Sequence, residues 1–157
     1  MIQINWEKVK NYAITILIPV ALGAAVGFII SGAMDYETLK KPALSPPGAL
    51  FPIMWPILYI LMGVSYGMLR DKSLTDFQTD ALYYSQLAVN LIWPIIFFVL
   101  KWRLFAFIWI IVLAILVIIM AARFYKKNQT AGLLQLPYAA WTVFASYLNL
   151  FVYLLNG

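Results

Sequence analysis

The residues best placed to do chemistry in this sequence are aromatic and amide side chains at helical spacing. Tyr83, Gln86, Asn90, Trp93 and Phe97 recur at offsets 0, 3, 7, 10 and 14, which puts them on one stripe of an α-helix. Phe51, Trp55, Tyr59 and Met62 share a face in the same way, as do Tyr138, Trp141, Ala145, Leu148 and Val152. Such residues supply dispersion, stacking and hydrogen bonds. Asn90 falls inside an apolar run, where an unpaired amide costs roughly 2–7 kcal/mol. It either bonds a neighbouring helix, with carbonyls freed by Pro94 or Pro56 as candidate partners, or it faces a ligand. Trp55, Trp93 and Trp141 also lie inside their runs, where an indole N–H needs a partner. Taken singly, each is a packing residue. Three of them on inward stripes with an amide among them suit a pocket for a large, flat, apolar ligand.

The missing residue types narrow the chemistry further. The sequence has no cysteine and no histidine. That excludes disulfides, thiolate nucleophiles, Cys or His zinc sites, haem held by imidazole or thiolate, and histidine acid–base catalysis. No metal site, cofactor or catalytic residue is expected. The net charge of +5 is spread in short clusters between apolar runs and forms no stripe for nucleic acid. Anchoring against anionic lipid explains it better.

The elements that must position the stripes follow from composition. Of 157 residues, 64% are hydrophobic and 11% charged. A soluble domain is about 45–50% apolar and about 25% charged, so lipid has to be the solvent for the excess. Five apolar runs separate, at roughly Tyr12–Ser31, Leu50–Leu69, Ala81–Leu100, Leu104–Phe124 and Leu133–Leu155. Each is about 20 residues, the length of a membrane-crossing helix. The fold class expected is all-α, one integral membrane bundle of five transmembrane helices. The first run is too long for a signal-peptide core and reads as a retained helix.

No Asp, Glu, Lys or Arg lies in the central part of any run. This argues against an ion pump, a proton-coupled transporter and a charged pore. Gly23 with Gly27, and Gly63 with Gly67, have the spacing of close helix approach, within the bundle or in a dimer. Pro19, Pro52, Pro56, Pro94 and Pro137 should kink or start helices. The segment 33–49 should be an ordered extended loop with a short helical turn near Tyr36–Lys40. Ser73 or Thr75 is expected to cap the third helix, and Lys101–Arg103 to form a tight turn. Lys8, Lys10, Arg70, Lys72, Arg123, Lys126 and Lys127 fall on one side, against Lys40, Lys41, Lys101 and Arg103 on the other. That bias puts the N-terminus in the cytoplasm and the first loop outside.

Three linked motifs then carry a resemblance over nearly the whole chain. The stretch Lys41-Pro-Ala-Leu-Ser-Pro-Pro-Gly48 runs into Phe51-Pro-x-x-Trp55 and Leu58-Tyr59-x-Leu-Met-Gly63. It is followed by Gln86-Leu-x-x-Asn90-x-x-Trp93-x-x-x-Phe97 and by Leu136-Pro-Tyr-x-x-Trp141-x-x-Phe144-Ala-x-Tyr-Leu-Asn149. Together they resemble the translocator protein family, also called tryptophan-rich sensory proteins or mitochondrial benzodiazepine receptors. The resemblance implies a five-helix bundle, often a homodimer, in a bacterial cell membrane. The first loop would be a lid over a pocket for porphyrins, sterols or synthetic isoquinoline and benzodiazepine drugs. It places Trp55, Tyr59, Asn90, Trp93, Trp141 and Ala145 in the pocket, with Pro46 and Pro47 in the lid. With their stripe neighbours Phe51, Gln86, Phe97, Tyr138 and Leu148 these are the expected ligand-binding residues. Some bacterial members are said to degrade protoporphyrin in light through tryptophans that match Trp55 and Trp141; transport of tetrapyrrole or lipid is a further reading. The chain departs from the family in its loop, with Asp35 and Leu44 where tryptophans are frequent.

Overall fold

The computed structural model describes residues 3–156. Its helices are α1 (Trp6–Ile30), α2 (Phe51–Asp71), α3 (Phe77–Pro94), α4 (Arg103–Lys127), the short α5 (Gln129–Leu133) and α6 (Leu136–Asn156). Among the described residues, five helical segments are long and apolar enough to cross a membrane. The fold is all-α.

Local sequence accounts for most helix ends. Asn5 caps α1 by accepting from the Lys8 N–H at 3.2 Å, so α1 starts six residues before the expected Tyr12. The third helix is capped by Asp76, not by Ser73 or Thr75; its carboxylate accepts from Thr79 N–H at 2.7 Å. Ser73 is in the left-handed region at φ 54° and belongs to the preceding turn. The fifth run divides in two. Asn128 accepts from Ala131 N–H at 3.0 Å and starts α5, and α6 begins only at Leu136, with Pro137 in its first turn, where a missing N–H costs nothing. Beyond Pro94 the third helix widens into a π-helical segment, Ile95–Leu100. Lys101 at φ 57° ends it, and Trp102 N–H returns to the Ile96 carbonyl at 3.2 Å.

Helix α1 packs on α2, α3 on α4, and α4 on α5 and α6. Gly63 permits the first of these contacts, since a Cβ there would come 2.5 Å from Ile16 Cα. Gly63 and Gly67 therefore serve packing inside the bundle. Leu58, Met62, Tyr66, Tyr83, Leu113, Val117 and Phe124 form the buried centre. Ile108, Ile115, Ile118 and Ile119 of α4 face outward, as a lipid-facing surface would. Trp6 and Trp102 are exposed near helix ends, consistent with interfacial anchoring. Trp109 turns inward and donates to the Val89 carbonyl at 2.8 Å.

The segment between α1 and α2 is ordered by bonds to α6. Asn156 exchanges two hydrogen bonds with the Lys40 backbone at 3.0 and 2.8 Å, and Tyr147 donates to the Ala43 carbonyl at 2.7 Å. A 3-10 turn covers Tyr36–Thr38, where a short helical turn is expected.

The α3 cap also sets a pH response. Hydrogen bonds from Thr79, then the Lys127 ammonium, hold the Asp76 carboxyl well below the usual carboxylate range. A depressed folded-state pKa contributes stability above the unfolded value of about 3.9 and loses it as pH falls below that. The Tm difference between wild type and Asp76→Asn should therefore be constant from pH 7 to about pH 5 and shrink below about pH 4.

Candidate functional site: an aromatic cavity between the helices

A cavity of about 460 Å³ lies among α1, α2, the end of α3 with its π-helical segment, and α6. Met34 and Tyr36 of the first loop contribute to its wall. The size falls within the range of small-molecule sites, about 300–1,000 Å³. Among the described residues no charged side chain lines it.

The three stripes converge here. Phe51, Trp55 and Tyr59 line the cavity from α2; Asn90, Trp93 and Phe97 from α3 and the π-helical segment; Trp141, Ala145 and Leu148 from α6. The remaining expected residues stand elsewhere. Gln86 and Tyr138 are fully buried behind Asn90 and do not line the wall. Pro46 and Pro47 do not line it either; the Pro46 carbonyl accepts from the hydroxyl of Tyr36 at 2.6 Å, and Tyr36 is at the wall with Met34. Burial, and secondarily the charge of Glu37, push the Tyr36 phenol above its ordinary pKa.

Sequence reasoning missed the α1 wall, formed by Val20, Gly23, Ala24, Gly27 and Ile30. The Gly23 and Gly27 spacing marked the right face of the helix, but their partners differ. A Cβ on Gly23 would overlap the Tyr59 ring, whereas one on Gly27 would meet nothing within 4 Å. Gly27 therefore borders open space. Asn149, at the end of a quoted motif, also lines the cavity.

The aromatic walls meet edge to face or stacked. Trp55 and Trp141 are perpendicular at 6.3 Å, Phe51 meets Trp141 at 5.8 Å, and Trp93 stacks on Phe97 at 5.0 Å. The Asn90 amide is bonded to side chains rather than to carbonyls freed by proline. It accepts from the Tyr59 hydroxyl and donates to Tyr138, both at 2.7 Å. Trp93 donates to Asn149 Oδ1 at 2.9 Å, and Asn149 donates to the Arg103 carbonyl at 3.0 Å. The Trp141 indole nitrogen is buried and has no partner among the described residues.

One charged group backs the wall without lining it. Arg103 is 9% exposed. It donates through Nη2 to Asp35 at 2.8 Å and through Nε to the Phe97 carbonyl at 3.1 Å. Its guanidinium lies 4.5 Å from the Phe97 ring centre. The loop, the π-helical segment and a cavity aromatic thus share one buried cation.

This arrangement can enclose a flat apolar molecule, stack on its faces and offer a few directed hydrogen bonds. The sequence matches the TspO/MBR family over residues 15–154. It is 37% identical over 146 residues to the tryptophan-rich protein TspO of Archaeoglobus fulgidus, covering 91% of this chain and 95% of that protein. It is 35% identical over 153 residues to the translocator protein homolog of Schizosaccharomyces pombe, covering 94% and 93%. Protein CrtK of Rhodobacter capsulatus is 34% identical over 140 residues, covering 87% of each chain. Matched by the family model over residues 15–154 and carrying, among its described residues, five helices long and apolar enough to cross a membrane, this chain belongs to the TspO/MBR family of integral membrane proteins.

Proposed function

We propose that this protein is a membrane receptor for porphyrins or similarly flat apolar ligands, held by their faces and edges between α1, α2, α3 and α6. The observation that carries the reading is the convergence of three aromatic stripes on one uncharged cavity of about 460 Å³. Saturable quenching of tryptophan fluorescence by protoporphyrin tests it, and an absence of saturable binding overturns it. Gly27→Phe should fill the cavity from α1 and weaken binding at least tenfold. Its Tm should change little, because the new Cβ meets nothing within 4 Å and phenylalanine is a better helix former than glycine.

A second reading, light-dependent oxidation of a bound tetrapyrrole with dioxygen as the oxidant, is favoured by the contact of Trp55 with Trp141 on the cavity wall. Illumination of the protein with protoporphyrin should then yield a spectral product that the Trp55→Phe, Trp141→Phe double variant does not form. The basic-residue bias supports a cytoplasmic N-terminus with the first loop outside. A homodimer would have to use a face other than Gly63 and Gly67, which already face α1.

A further inference from the structure

We infer that the cavity reads the direction of a ligand's hydrogen bond, and that Met62, outside the cavity, sets that direction. The inference rests on the binding reading above and names the edge chemistry of the ligand: an N–H or O–H donor directed at Tyr59.

Three side chains, Asn90, Tyr138 and Gln86, link Tyr59 to Met62. Tyr59 donates to Asn90 Oδ1 at 2.7 Å, Asn90 Nδ2 to the Tyr138 hydroxyl at 2.7 Å, and that hydroxyl to Gln86 Oε1 at 2.7 Å. Gln86 Nε2 then lies 3.4 Å from the Met62 sulfur. A thioether has no proton and can only accept. Gln86 must therefore present its NH2 to Met62 and its carbonyl oxygen to Tyr138. A hydroxyl has one proton, so Tyr138, having given it to Gln86, must accept from Asn90. One of the two Asn90 N–H donors is committed to Tyr138, and the amide oxygen faces Tyr59. The Tyr59 proton is committed to Asn90.

Reversing the chain would set the Gln86 oxygen against sulfur, two acceptors with no proton between them. A buried polar group left unsatisfied forfeits its hydration with no bond in return, which disfavours the reversed chain. Water cannot relieve it, because Met62 and Gln86 are fully buried and Tyr138 and Asn90 are only 1% and 2% exposed. Tyr59 and Asn90 both line the cavity. Toward a ligand the Tyr59 oxygen thus has lone pairs and no proton. The best-matched ligand is a flat apolar molecule with a hydrogen-bond donor at one edge. Met62 is a positioning residue, since it acts through Gln86, Tyr138 and Asn90.

The test uses two isosteric tricyclic probes, carbazole with an N–H and dibenzofuran with an ether oxygen in its place. Their affinities are measured on the full-length protein in lipid nanodiscs, alongside protoporphyrin. Wild type should bind carbazole about tenfold more tightly than dibenzofuran, equivalent to about 1.4 kcal/mol, the scale of one hydrogen bond. Tyr59→Phe should bring the two affinities together. Met62→Leu conserves volume but removes the acceptor that orients Gln86, and should at least halve the carbazole preference while Tm shifts little. A wild-type protein that binds both probes equally, or prefers dibenzofuran, overturns the inference. So does a preference unchanged in Met62→Leu, or a cavity that takes protoporphyrin but neither tricycle. These outcomes leave the receptor reading standing. Failure of protoporphyrin and both probes to bind overturns the receptor reading as well.

Discussion

Gly63→Val lowers the stability of the protein by roughly 3 kcal/mol, at the upper end of the cost of overpacking a tight interface. The new Cβ would overlap the Thr15 carbonyl oxygen and come 2.5 Å from Ile16 Cα and 2.9 Å from Ile16 N. All three are backbone atoms of α1, so no side-chain rotation relieves the clash and the two helices have to separate. Because α1 also forms one wall of the cavity, ligand binding should fall with stability. Gly67 is the contrasting case. A Cβ there would meet the Thr15 hydroxyl at 2.6 Å and the Tyr12 ring at 2.7 Å, both of which can turn aside. Gly67→Ala should cost about 1 kcal/mol. Thermal denaturation in one detergent, with all three proteins compared, checks the ranking. Equal Tm values for wild type and Gly63→Val would show that α1 and α2 do not meet at this glycine.

Asp35→Ala should cost about 2–3 kcal/mol and loosen the first loop. Removing one partner of a fully buried ion pair costs about 3–5 kcal/mol. Here the Asp35 side chain keeps 23% of its exposure, so the loss is smaller. Arg103 would retain the Phe97 carbonyl and ring but lose its only bonded carboxylate among the described residues. Residues 33–49 should then be cleaved faster by protease and exchange amide protons faster, while the central turns of α4 and α6 change little. Arg103→Leu should be destabilising too. The double variant Asp35→Ala, Arg103→Leu should lose less than the two single losses combined, because no uncompensated charge remains. Additive losses would show that the two residues act independently.

How much of this was legible before folding depends on how far apart the cooperating residues are. Each span could be recognised from about 20 consecutive residues, because lipid demands an apolar helix of that length whatever its neighbours. The stripes were legible for the same reason: a helix repeats every 3.6 residues, so spacing alone gathers Phe51, Trp55 and Tyr59, or Trp141, Ala145 and Leu148, on one face. Ends were less secure. Asn5 and Asp76 are capping residues by type, but several candidates compete near each helix start, and the backbone conformation selects among them.

The tertiary structure decided which way each stripe's members were used. Asn90 suited a helix neighbour or a ligand; its partners Tyr59 and Tyr138 lie 31 and 48 residues away, beyond any local rule. Two pairs of glycines share one spacing, yet Gly63 meets the backbone of α1 while Gly27 borders the cavity, since spacing states which face is small and not what approaches it. Trp93 and Trp141 are the same residue on equivalent stripes, but only Trp93 finds an acceptor. The sequence by itself determined an all-α membrane bundle with aromatic faces, because burial in lipid and helical periodicity act over one segment at a time. The pairing of faces, the cavity and the orientation of its hydrogen bonds came only from the folded chain, because they depend on contacts between segments that no single helix encodes.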